Sequence, residues 1–254
     1  MTAFVKILVQ GYTNADSVAE TGEEKTCPTV TLVRDGDLIM VVDPGVLPDK
    51  QILIDALDLE GLNVQDVNMV CITHSHIDHY RNLGMFPDAK VLEYFGVWQD
   101  DTVEEWQENL TEHIQILRTP GHDHTSITIL VTTADNGTIA VCGDVFWKEN
   151  YPEEDIYATD SEMLRESRDF VLKIADWIIP GHGSMYKSPG VSEVVKQKVK
   201  AAIKSGGLKV SVCKKCHNMI KRPQERCLCQ PTLCFRCCEC DIDCDLCSCK
   251  HKRR

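Results

Sequence analysis

The chain of 254 residues has no apolar run approaching the roughly 18 residues of a membrane helix. No membrane partner is therefore expected. Residues 4–10 are too few for a signal-peptide core with its flanks, so the expected location is cytoplasmic, with the nucleus as the other intracellular option. Basic residues are scarce over 1–207, which hold 16 Lys+Arg against 34 Asp+Glu, a balance of −18. None lies between residues 91 and 117, so a strongly basic face on this part is excluded. Cysteine is scarce there too: 3 of the 14 precede residue 213. No fixed-period repeat is visible outside the cysteine-rich tail. With 43% hydrophobic and 26% charged residues the chain cannot be wholly disordered.

What is present divides into two parts, an acidic domain over 1–207 and a tail over 208–254 with 11 Lys+Arg, 5 Asp+Glu and 11 cysteines. Runs rich in β-branched and aliphatic residues predict strands over 4–10, 29–33, 38–42, 67–73, 91–94, 114–117, 127–131 and 138–142. Asp35-Gly36-Asp37 and Asn136-Gly137 are hairpin turns. Helical spacing of Ile52, Leu53, Ala56 and Leu57 predicts one helix, and Met163, Phe170, Val171 and Ile174 a second over about 160–175. A third is expected from Ser188-Pro189 to Gly206. Strands first, then alternation with helices, place the chain in the α/β class.

The chemistry sits at strand ends. His74-Ser75-His76-Ile77-Asp78-His79 follows the strand over 67–73, placing four donors within six residues. Thr119-Pro120-Gly121-His122, Gly143-Asp144 and Pro180-Gly181-His182-Gly183 each follow another apolar run. Polar residues repeatedly placed at strand ends form a pocket on one rim of a sheet. Imidazoles and carboxylates are the donors that zinc and similar divalent ions take. Two zinc ions about 3.5–4 Å apart can share a water and lower its pKa towards about 7, giving a metal-bound hydroxide nucleophile. Asp78 is the candidate catalytic group to hold or shuttle the proton. No Ser-His-Asp or Cys-His arrangement is needed. Cys71 and Cys142 lie inside apolar runs and read as core; His113 and His124 read as ordinary.

The His-x-His-x-Asp-His motif and the single elements after it resemble the metallo-β-lactamase superfamily. The resemblance spans residues 4–186. It implies a four-layer αββα sandwich, with a small Cys-rich metal-binding module at the C-terminus as the departure from the family. It implies that His74, His76 and His122 hold one metal, that Asp78, His79 and His182 hold the second, and that Asp144 bridges. Asp43 falls where the family keeps a carboxylate that orients a ligand histidine. Leu8-Val9-Gln10-Gly11-Tyr12, Asn82-Leu83-Gly84-Met85-Phe86-Pro87 and Gly143-Asp144-Val145-Phe146 are similar to an animal branch of endoribonucleases. The implied activity is therefore phosphodiester hydrolysis in RNA. Thioester or lactone hydrolysis, as in glyoxalase II, and non-enzymatic metal handling are the alternatives. Only 38 residues separate Asp144 from His182, too few for the inserted cap of larger RNA-cleaving relatives. His76 departs from the His-x-Glu-x-Asp of flavin-coupled di-iron proteins. A mononuclear iron dioxygenase would use fewer of these donors. Two zinc ions are the expected cofactor, with iron or manganese as other candidates.

Asp100, Asp101, Glu104, Glu105 and Glu108, then Glu149, Glu153, Glu154 and Asp155, either repel a polyanion at the pocket or only solubilise the surface. Phe95, Trp98, Trp106, Phe146 and Trp147 either line the mouth or cover the core. In the tail, Cys213, Cys216, Cys227, Cys229, Cys234, Cys237, Cys238, Cys240, Cys244, Cys247 and Cys249 are candidate ligands for additional zinc. Metal–thiolate bonds would supply the folding energy that so short a segment cannot draw from apolar burial. Its basic balance of +6 would suit RNA; metal storage or delivery, and protein docking or formation of a homodimer, are the other readings.

Overall fold

A computed structural model describes residues 2–17 and 22–189, and the backbone of 211–212 and 219–220. The chain divides into two compact units, residues 1–196 and 197–254. In the second, β15 (Ser211–Val212) and β16 (Met219–Ile220) pair antiparallel. The eleven tail cysteines, the expected helix from Ser188 beyond residue 189 and the expected boundary at 207 lie outside the described residues.

The first unit is built on two main sheets. The strands in chain order are β1 (Phe4–Val9), β2 (Tyr12–Thr13), β3 (Thr26–Cys27), β4 (Val30–Asp35), β5 (Leu38–Val42), β6 (Met69–Cys71), β7 (Lys90–Glu93), β8 (Gly96–Gln99) and β9 (Thr102–Glu104). Then come β10 (Ile114–Arg118), β11 (Ile127–Thr133), β12 (Gly137–Val141), β13 (Trp177–Ile179) and β14 (Tyr186–Lys187). One sheet has the order β1-β4-β5-β6-β7-β8-β9 and the other β10-β11-β12-β13-β14. β4 and β5 form the expected hairpin, with Gly36 in the left-handed region at φ 59°. The predicted strand over 67–73 is regular only at 69–71, because residues 72–74 already turn towards the pocket. The pairs β5–β6 and β12–β13 are parallel and each needs a crossover. Helix α1 (Gln51–Leu59) lies in the first crossover and α3 (Ser161–Ile174) in the second. A four-residue turn of helix, α2 (Ile77–Tyr80), follows β6.

Alternation along each strand builds the layers. Val33, Met40, Val42 and Cys71 of the first sheet meet Ile116, Ile127, Ile129, Ile139 and Val141 of the second in one fully buried cluster. Their neighbours Leu32, Val41 and Val70 face the other way and pack with Leu53 and Leu57 of α1. Each such leucine contributes about 1.5–3 kcal/mol by leaving water. Helix α3 starts where Asp160 accepts from Met163 N at 2.9 Å, and it buries Met163, Leu164, Ser167, Arg168, Val171 and Ile174. The result is the αββα sandwich. Cys71 and Cys142 are core residues, and His124 is exposed. His113 instead pairs with Asp35, Nδ1 to Oδ1 at 3.0 Å. No helix among the described residues is long and apolar enough to cross a membrane.

Candidate metal centre

Parallel pairing brings Asp43 to the pocket. Register sets Val42 opposite Cys71, and Asp43 N then donates to the Cys71 carbonyl at 2.9 Å. Asp43 leaves β5 with φ 50°, a left-handed conformation that Asp tolerates better than most residues. Its Oδ2 accepts from Thr73 Oγ1 at 2.7 Å and lies 2.8 Å from His79 Nδ1. The neighbouring Thr73 Oγ1 contacts His74 Nδ1 at 3.1 Å. On the other sheet, Gly181 follows β13 so closely behind Asp144 that a Cβ there would fall 1.7 Å from Asp144 Oδ1. Only glycine allows His182 to arrive at this point. His182 Nδ1 is 3.0 Å from the Cys27 carbonyl at the end of β3.

The seven expected donors fall into two groups, His74, His76, His122 and Asp144, and Asp78, His79 and His182. Within each group the donor atoms lie within 4.8 Å of one another. Asp144 stands between them. Its Oδ2 is 3.4 Å from His122 Nε2 and 3.2 Å from His182 Nε2, and its Oδ1 is 3.3 Å from His79 Nε2. Asp78 Oδ2 is 3.6 Å from His182 Nε2 and accepts from Thr26 Oγ1 at 3.2 Å.

These donors fit a pair of cations. His76 Nδ1 and His122 Nε2 face each other at 3.0 Å, and His79 Nε2 and His182 Nε2 at 3.4 Å. His74 Nε2 and Asp144 Oδ1 are buried without a hydrogen bond; the contact from His79 to Oδ1 is close enough for charge attraction but not aligned as a bond. A buried imidazole nitrogen and a buried carboxylate oxygen without partners are costly unless something positive sits among them. The electrostatics differ between the groups. Burial, then the His79 charge, holds His74 well below the ordinary imidazole range, and burial and His122 lower His76. Burial opposes charge on His79 and His182 as well, but Asp144 overcomes it, helped at His79 by Asp43, and both are raised, His79 strongly. Burial would raise Asp144, yet His182 and His79 keep its carboxyl well below the usual range.

In the sequence Asp155 stands out only as one of the acidic loop residues. It is buried, with Oδ2 2.7 Å from His122 Nδ1. No motif marks it, since it lies in an irregular loop. Thr26 beside Asp78 escapes a sequence reading because its strand β3 is only two residues long. A cavity of about 340 Å³ opens on the donors, walled by Thr13, Glu24, Ile77, Trp147 and Tyr157. Tyr157 Oη donates to Glu24 across this wall. The aromatic residues part company. Trp106 and Phe146 are core, Trp147 is buried yet reaches the cavity, and Phe95 and Trp98 line a separate cavity of about 390 Å³ beside His74 and Ser75.

The family model described as "Metallo-beta-lactamase superfamily" matches residues 28–103. "Metallo-beta-lactamase domain-containing protein 1" of Xenopus laevis is 30% identical over 181 residues, covering 68% of this chain and 77% of the frog protein. The chain belongs to the metallo-β-lactamase superfamily. Among solved structures, a metallo-β-lactamase-like protein of Thermotoga maritima superposes with a TM-score of 0.60 at 21% identity, covering 74% of this chain and 100% of its own. An N-acyl homoserine lactone hydrolase, with product at its catalytic metal centre, gives 0.54 at 16% identity, covering 72% and 94%. These two likenesses show the metallo-β-lactamase fold. The chain is thus a metallo-β-lactamase-fold protein with a potential two-metal His/Asp site.

Proposed function

We propose that this chain is a hydrolase working with two divalent ions, zinc by preference, on a phosphodiester in RNA. The observation that carries the reading is the meeting of two donor groups on the single carboxylate Asp144. When bound, the two ions supply Lewis acidity and a water activated at neutral pH. His74, His76 and His122 would hold one ion, Asp78, His79 and His182 the other, and Asp144 would bridge. Asp43 and the Cys27 carbonyl fix His79 and His182 by their Nδ1 atoms, leaving Nε2 for the metal. Asp78 lines the cavity, and its carboxylate would take up a proton there. Two divalent ions against the carboxylates of Asp78 and Asp144 would leave a net positive centre, which would attract a phosphodiester anion.

A second reading has its own observation. Among the described residues no Lys or Arg lines the cavity, and Glu24 does. That wall favours a small uncharged lactone or thioester over a long polyanion, and a relative in fold acts on N-acyl homoserine lactones. We propose that the basic tail compensates by bringing RNA to the acidic domain. The test is hydrolysis by the full, metal-loaded chain of single-stranded RNA, bis(p-nitrophenyl) phosphate, a lactone and a thioester. Metal-dependent cleavage of both phosphodiesters is expected. Cleavage of the acyl compounds alone would replace the first reading by the second, and a loaded chain inert on all four would overturn both.

A further inference from the structure

Helix α3 supplies no donor to either group, yet it holds the loops that do. Ser167 Oγ donates to the Pro120 carbonyl at 2.6 Å, two residues before His122. Gly121, at φ 135°, lies so close that a Cβ would come within 2.2 Å of Leu164 N. Arg168 Nε donates to the Val145 carbonyl at 2.8 Å, next to Asp144. Its Nη1 donates to the carbonyls of Pro152 at 3.1 Å and Glu153 at 3.4 Å, and its guanidinium lies 4.4 Å from the Tyr151 ring centre. These bonds fix a stretch of irregular chain that leads to Asp155.

We infer, resting on the two-metal reading above, that Asp155 is a positioning residue for the first donor group, and that Arg168 sets Asp155. The Asp155 side chain is fully buried. Its Oδ1 accepts from Tyr157 N at 2.9 Å, and its Oδ2 meets His122 Nδ1. A carboxylate there can only accept, so the imidazole proton is held on Nδ1 and the Nε2 lone pair is left facing Asp144. It also makes Nε2 a stronger donor. Among the described residues Asp155 is the hydrogen-bond partner of Nδ1, while His76 and Asp144 face Nε2 and Trp147 meets the ring edge to face at 6.3 Å. The device parallels Asp43 on His79, so each donor group has one histidine backed by a buried carboxylate.

Asp155→Asn separates this role from mere support of the loop. Its amide oxygen still accepts from Tyr157 N. Its NH₂ then faces His122 Nδ1 and drives the imidazole proton to Nε2, the atom a metal needs. Cobalt(II) titration of the full chain reads the nitrogen–oxygen sites by their d–d absorption, apart from thiolate-to-cobalt charge transfer at cysteines. The wild-type chain is expected to fill two such sites. In Asp155→Asn one should keep its affinity and the other weaken about 10–100-fold. Arg168→Lys should shift the same site less, and Asp155→Asn combined with Asp43→Asn should weaken both. Wild-type titration by Asp155→Asn would overturn the inference. So would equal weakening of both sites with a lowered melting temperature, which marks a loop pin only. A wild-type chain with no nitrogen–oxygen cobalt site would overturn the hydrolase reading instead.

Discussion

The two donor groups resemble each other in chemistry and differ in how the fold holds them. The second group leans on Asp43, placed by strand register: β5 runs parallel beside β6, so the end of one strand falls next to the end of the other. The first leans on Asp155, which no strand places and which depends on bonds from α3. The groups differ in electrostatics as well, with His74 and His76 depressed in the first and His79 and His182 raised in the second. A regular ladder thus places one supporting carboxylate, and an irregular loop held by α3 places the other.

The largest expected effect removes what the groups share. Asp144→Ala should abolish turnover on any substrate the chain hydrolyses and bring the cobalt d–d signal below two sites, with the circular dichroism spectrum kept. Full turnover with both sites filled would show that Asp144 joins nothing. Smaller, and selective, is the pair Asp43→Asn and Asp155→Asn. Each should weaken a different site about 10–100-fold. The assignment is checked against His79→Ala and His122→Ala, whose remaining spectra should match those of Asp43→Asn and Asp155→Asn respectively. Loss of the same site in both would erase the distinction between the groups.

Acidification should separate them without mutation. Raised His79 and His182 hold protons to higher pH than the ordinary value near 6.5, so protons compete harder with metal in the second group. Depressed His74 and His76 stay neutral to lower pH. Lowering pH from about 8 to 6 should release metal from the second group first, affinity falling about tenfold per pH unit for each proton displaced. The check is the cobalt spectrum followed against pH, with release of both sites together as the contrary outcome. The smallest effect belongs to the wall. Tyr157→Phe removes the hydrogen bond to Glu24 at an exposed site and should change stability by less than about 0.5 kcal/mol in thermal melts.

Much of the centre is legible because its donors sit at strand ends, where a polar cluster directly after an apolar run marks a pocket rim. His74, His76, His122, Asp144 and His182 are readable in this way, and Asp43 becomes readable through the resemblance. Strands over 30–35, 38–42, 114–118 and 127–133 follow from β-branched runs, and the helix over 161–174 from apolar spacing. The short strands β8 and β9 do not, because exposed residues such as Gln99 and Glu104 carry no alternation to detect.

Sequence alone determined the longer strands, two of the helices, the seven candidate donors and the acidic balance of their domain, since each is set by residues close together in the chain. Tertiary structure decided which donors share a group, that Asp144 stands between the groups, and that Asp155, Thr26 and Tyr157 join them. Those facts depend on contacts between segments 33 to 156 residues apart. Only the packing of two sheets and α3 fixes such contacts, and no local pattern encodes them.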